Sequence, residues 1–127
     1  METNTIEDIV NRLRTTLWPL AIYRFNYPEE EHTETGKLNL LIIVADDEEP
    51  GYRKAIKARH ILEGSRQPDE VIVRHAREFR KRSQWLDSLE RRVRHSGTLL
   101  YGHGEEQSFV NPFALPMALS AARLRSA

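Results

Sequence analysis

No cysteine occurs among the 127 residues, which excludes disulfides, thiolate metal sites and a cysteine nucleophile and fits a reducing compartment. Glycine and proline number only six each, and neither an internal repeat nor a low-complexity tract is present. No charge of one sign prevails: 19 Lys and Arg balance 19 Asp and Glu, so no global bias announces a nucleic acid or a membrane as partner. Long apolar runs are also missing. The longest, Leu38 to Ala45 with Asn39 inside it, falls far short of the roughly 20 residues a membrane span needs. The acidic start, Met1 to Asp8, is no signal peptide. The expectation is a soluble cytoplasmic chain, long enough for one domain and too short for two of ordinary size.

What is there is distributed unevenly. Between Glu29 and Glu49 stand eight acids (Glu29, Glu30, Glu31, Glu34, Asp46, Asp47, Glu48, Glu49) against a single base, Lys37. Between Arg74 and His95 stand eight bases (Arg74, Arg77, Arg80, Lys81, Arg82, Arg91, Arg92, Arg94) against Glu78, Asp87 and Glu90. Charged runs are ordinarily solvated faces, yet the two stretches give the chain one acidic and one basic surface.

Periodicity divides the chain. Ile6, Ile9, Val10, Leu13 and Leu17 recur at helical spacing, and Thr5 with Asp8 three residues later predicts a capping box at the helix start. Pro19 ends that helix. Leu20 to Phe25 is β-branched and aromatic, as a strand should be, and Pro28 closes it. Leu38 to Val44 is almost continuously apolar, which suits a central strand buried on both faces. A second helix follows Pro50, with Tyr52, Ala55, Ile56, Ala58 or His60, and Leu62 inward and Gly64 at its end. Glu70 to Arg74 reads as a third strand, Ala76 to Arg82 and Leu86 to His95 as helices, and Thr98 to Tyr101 as a last short strand. The fold class is α/β in the α+β sense, a mixed sheet with helices packed on one side. Residues 1–102 make the domain. Residues 103–127 are a C-terminal extension, helical from about 113, whose Phe113, Leu115, Met117, Leu119 and Leu124 need a surface to cover, their own domain's or another chain's.

Several motifs carry little chemistry. The five histidines show no zinc spacing, and no serine sits in a Gly-x-Ser-x-Gly turn. Gly64-Ser65-Arg66 follows a helix and reads as a stop and a turn. The acids Asp46 to Glu49 are read as solvent-exposed in place of a cation site. Phe79, Trp85, Leu86, Leu89 and Val93 recur at helical spacing and are read as core. The basic residues among them, Arg74, Arg77, Arg80, Arg82, Arg91 and Arg92, form a solvated face, with RNA contact as the alternative.

The order of elements resembles the minimal nucleotidyltransferases, short members of the polymerase β superfamily, over roughly Ile6 to Gly102. The stretches Ile22-Tyr23-Arg24-Phe25-Asn26-Tyr27, Lys37-Leu38-Asn39-Leu40-Leu41-Ile42-Ile43 and Asp69-Glu70-Val71-Ile72-Val73 stand where that family has its first strand and Gly-Ser turn, its Asp-x-Asp strand and its third carboxylate. Ser88-Leu89-Glu90-Arg91 and Gly97-Thr98-Leu99-Leu100-Tyr101 are similar to its closing helix and strand.

The chemistry departs from the family. Asn26 and Tyr27 replace the Gly-Ser turn, and Tyr27 fills the space a phosphate needs. Lys37 and Asn39 replace the two aspartates, and a lysine repels the metal that anionic ligands would hold. Only Glu70 stays a carboxylate, and one carboxylate cannot bridge two divalent ions. A salt bridge from Lys37 to Glu70 in place of metal is left open. The resemblance thus implies a degenerate member with no catalytic, cofactor or metal residues, acting by protein binding. The implied partner is a HEPN-type ribonuclease toxin, with a second copy as alternative, and the acidic stretch or the apolar extension would mask a basic surface of the toxin. An active transferase holding Mg²⁺ and ATP through displaced carboxylates (Glu34, Asp46, Glu70) is the alternative from the enzyme class.

Overall fold

A computed structural model of the protein describes residues 2–28 and 36–102. Glu29, Glu30, Glu31, Glu34 and the extension 103–127 lie outside the described residues.

The apolar stripe of the first segment makes helix α1 (Glu2–Leu17). It buries Ile9, Leu13 and Leu17, with Ile6 and Val10 packed beside them. The helix already runs at Thr5, so the expected capping box is not its start. Trp18 leaves it at φ 52° ahead of Pro19, a left-handed conformation that non-glycine residues adopt uncommonly. Strands β1 (Ala21–Phe25) and β2 (Asn39–Val44) pair antiparallel, Ala21 opposite Ile43 and Phe25 opposite Asn39. Helix α2 (Gly51–Ile61) then crosses to β3 (Glu70–His75), which runs parallel to β2 with Asn39 beside Glu70 and Val44 beside His75. The start of α2 lies so close to β3 that a Cβ on Gly51 would stand 2.4 Å from the Val73 carbonyl oxygen. Helices α3 (Ala76–Arg82) and α4 (Leu89–Ser96) follow, and β4 (Thr98–Tyr101) returns antiparallel to β1. The sheet order is β3-β2-β1-β4.

Every residue of β2 is buried, because both its edges are paired and both its faces are covered. On one face Leu40, Ile42 and Val44 join Ile22, Val71 and Val73 against α1 and α2, with Leu38 just before the strand in the same cluster. On the other, Leu41 and Ile43 join Ala21, Tyr23 and Phe25 against Phe79 of α3 and Val93 of α4. Helices therefore cover both faces of the sheet, two on each, and the expected one-sided packing is corrected. The alternation of β2 side chains serves two cores at once.

Three further expectations are corrected. Helix α2 turns Lys54, Ala58 and the following Leu62 inward, whereas Tyr52 and Ile56 are 65% and 63% exposed. The last helix starts at Leu89, not Leu86, because the Ser88 side chain accepts from the Arg91 amide and caps it there. Trp85 and Leu86, read as core, lie in the α3–α4 connection and are 50% and 80% exposed. The turn at Gly64 is as expected, with φ 84°, and the Arg12 guanidinium donates to the Ile61 and Glu63 carbonyls at that end of α2, a favourable place for a cation.

Candidate functional site

The residues that the resemblance sets against the nucleotidyltransferase turn and carboxylates, Tyr27, Asn39 and Glu70 among them, lie about the N-terminal end of β2. Parallel register sets Asn39 beside Glu70, and antiparallel register sets Asn39 beside Phe25. Asn39 is buried and its side-chain amide donates to the Phe25 carbonyl at 3.2 Å. Glu70 is half-buried and accepts from the Tyr27 hydroxyl at 2.6 Å. The Tyr27 ring meets that of Phe25 edge-on, with centroids 5.3 Å apart. The partner the structure gives Glu70 is Tyr27. Lys37 is exposed, and its carbonyl accepts from Arg24 at 2.8 Å. Asp69 is spent on the backbone: its carboxylate accepts from the Leu38 amide at 2.7 Å, and its amide donates to the Leu38 carbonyl at 2.8 Å. Asn26 is exposed directly after β1.

The remaining acids gather at the other end of the same strands. Asp46, Asp47 and Glu49 follow β2, and His75 closes β3. Asp47 accepts from the Lys54 ammonium at 2.8 Å and lies 3.0 Å from His75 Nε2. Lys54, with His75 beside it, holds the Asp47 carboxyl down to about 2, and Asp47 in turn raises Lys54 above the ordinary lysine value. Glu49 is lowered by Lys57, which it meets at 2.9 Å. Asp46 accepts from the Arg77 amide at 3.1 Å, so a carboxylate thirty-one residues away caps an amide at the start of α3. A depression of about 430 Å³ lies here, lined by Asp46, Asp47, His75, Arg77, Glu78 and Lys81.

This geometry separates the carboxylates proposed for a rebuilt metal site. Glu70 sits level with Asn39 and Asp46 lies past Val44, a separation on the order of 20 Å at the rise of a strand. Asp46 and Glu70 cannot share one ion, and Glu34 lies outside the described residues. No group of three His, Cys, Asp or Glu side chains able to hold a metal occurs among the described residues. Three acids of the described part of the acidic stretch, Asp46, Asp47 and Glu49, are paired with the chain's own cations, while Glu48 is exposed.

The basic stretch is partly consumed as well. Arg74 meets the buried Glu90 at 2.7 Å, and Arg82 pairs with Glu78 at 2.8 Å while lying over the Trp85 ring. Arg77 is solvent-exposed and reaches Asp46 only at 3.6 Å. Arg80, Arg91 and Arg92 are half-buried. Sequence reasoning missed the contacts Tyr27–Glu70, Arg74–Glu90 and Lys54–Asp47–His75. The one available signal was the lysine four residues into a helix that follows an acidic turn. No helix among the described residues is long and apolar enough to cross a membrane.

The order of elements, the four-stranded mixed sheet and the placing of Asn39 and Glu70 in one row define a nucleotidyltransferase-like fold. A solved structure agrees: one chain in the crystal structure of the toxin–antitoxin complex MntA-HpeT, in a form with two aspartate-to-glutamate substitutions two positions apart, matches with a TM-score of 0.50. The identity is 18%, over 93% of this chain and 91% of that one, so the likeness is one of fold. No family model matches the sequence, and no curated protein matches it.

Proposed function

We propose that this chain is a nucleotidyltransferase-fold protein without transferase activity, which acts by binding a protein partner as the antitoxin of a toxin–antitoxin pair. The observation that carries the first half is the hydrogen bond from Tyr27 to Glu70. The side chain standing where a phosphate-binding turn belongs occupies the one retained carboxylate, so both needs of nucleotide transfer are opposed by a single contact. Asn39 adds to this, because its amide is committed to the Phe25 carbonyl and an amide brings no negative charge to a cation. The second half rests on the similar fold found in a toxin–antitoxin complex, an argument from likeness of fold rather than from a site. The substituted form of that complex exchanges two aspartates at i, i+2 spacing, the spacing that Lys37 and Asn39 have here.

Isothermal calorimetry of the chain against ATP and GTP with Mg²⁺ tests the first half. No heat is expected, and micromolar magnesium-dependent binding overturns the reading. Co-expression with a small helical toxin tests the second: a stable complex and relief of growth arrest are expected, and a chain that stays monodisperse beside the toxin argues against the antitoxin role.

A further inference from the structure

We propose that the ridge formed by the end of α3, the α3–α4 connection and α4 binds single-stranded nucleic acid, with Trp85 as a stacking platform and Lys81, Arg91 and Arg94 as phosphate contacts. This goes beyond the protein-binding role, because it uses the sheet's other end and a different class of partner. The first ground is Trp85 itself. Half of its surface is open to solvent, although an apolar ring of that size gains from burial. The Arg82 guanidinium lies 5.5 Å from its centroid, and Arg82 is anchored by Glu78 at 2.8 Å. One side of the ring is therefore braced by a cation that is itself held in place. A braced aromatic beside positive charge is the arrangement on which bases stack without regard to sequence.

The second ground is which cations are uncommitted. Arg74 and Arg82 are neutralised by Glu90 and Glu78, and Arg77 leans toward Asp46. Lys81, Arg91 and Arg94 make no ion pair with any described residue. Lys81 is exposed four residues before Trp85. Arg91 lies in the first turn of α4, its amide capped by the same Ser88 hydroxyl that donates to the Arg82 and Trp85 carbonyls. The neighbouring depression is lined by Asp46, Asp47 and Glu78 together with His75, Arg77 and Lys81, so Lys81 stands at its edge while Arg91 and Arg94 lie outside its lining. Leu86, 80% exposed, is the one feature here that suits an apolar protein surface better than a nucleic acid.

Fluorescence anisotropy of labelled 12-nucleotide oligouridylate and oligothymidylate against the full chain tests the proposal. Binding of both is expected at 50 mM salt, falling with salt at a log–log slope of about −2 for three phosphate contacts. Trp85→Ala should weaken it five- to hundredfold, and Lys81→Ala should flatten the slope by about 0.7. Leu86→Ser should leave it unchanged. The proposal is overturned by no binding at 50 mM salt, by Trp85→Ala binding as tightly as the natural chain, or by duplex DNA binding as tightly as the single strands. Loss on Leu86→Ser equal to that on Trp85→Ala would also overturn it and mark a protein-docking surface. Should Trp85→Ala fail to fold, Lys81→Glu and Arg94→Glu decide: unchanged affinity in both overturns the proposal.

Discussion

Tyr27 couples the turn after β1 to the carboxylate at the start of β3. Its hydroxyl donates to a charged acceptor in a half-buried place, where such a bond contributes about 1–2 kcal/mol. Tyr27→Phe should lower unfolding free energy by that amount in urea, and a loss under about 0.5 kcal/mol would mean that water substitutes freely for the phenol. Glu90 presents the opposite balance. It is nearly without solvent contact and depends on Arg74, whose side chain is 28% exposed. Glu90→Gln leaves a cation facing a neutral amide in that place, and the cost of breaking a buried pair is about 3–5 kcal/mol. The partial exposure of Arg74 brings the expected loss to about 2–4 kcal/mol, read from the urea midpoint at an unchanged m-value.

The turn between β2 and α2 is held by its charges from both sides, Lys54 of α2 and His75 of β3 on Asp47, and the start of α3 on Asp46. Because the folded Asp47 titrates near 2, below its ordinary value of 3.8, its contribution to stability is fully present above the ordinary value and disappears as pH falls toward 2. Lys54 is raised above 10.5, so its contribution is present below that pH and is lost as pH rises beyond it. Thermal unfolding of the natural chain should therefore weaken more steeply than that of Asp47→Asn between pH 4 and 2, and parallel curves would sink this assignment. The same turn shows what could be read from the sequence. Each strand and helix announced itself by period, because burial on a sheet or against one imposes periods of 2 and 3.6. The inner face of α2 did not, since Lys54 is inside through an ion pair to a residue seven positions away, which hydropathy scores only as polar. The burial of β2 on both faces was legible, because a strand apolar at both odd and even positions needs cover on both sides. At the candidate site, the resemblance already singled out Asn26, Tyr27, Lys37, Asn39 and Glu70 in the sequence. Their mutual contacts were not legible, because nothing local couples residue 27 to residue 70.

For the whole molecule, the two cores on opposite faces of one sheet are built between Ile6 and Tyr101, and the two faces share β1, β2 and β3. Unfolding either face exposes strands that the other needs, so the two cores should melt as one cooperative unit. The last described turn is tight: Gly102 sits at φ 127°, where a Cβ would stand 3.0 Å from the Leu20 carbonyl oxygen, and this closes β4 against the start of β1. Whether the domain ends at residue 102, as the sequence predicts, is decided by truncation. A chain truncated after Gly102 should keep a single cooperative transition, with Tm within about 4–8 °C of the full chain, the shift that 1 kcal/mol produces at this size. A larger fall, or a broad transition, would show that residues 103–127 contribute to one of the two cores. If the truncated chain is stable but no longer joins a partner or a second copy in size-exclusion chromatography, the apolar residues of the extension serve association instead of the fold.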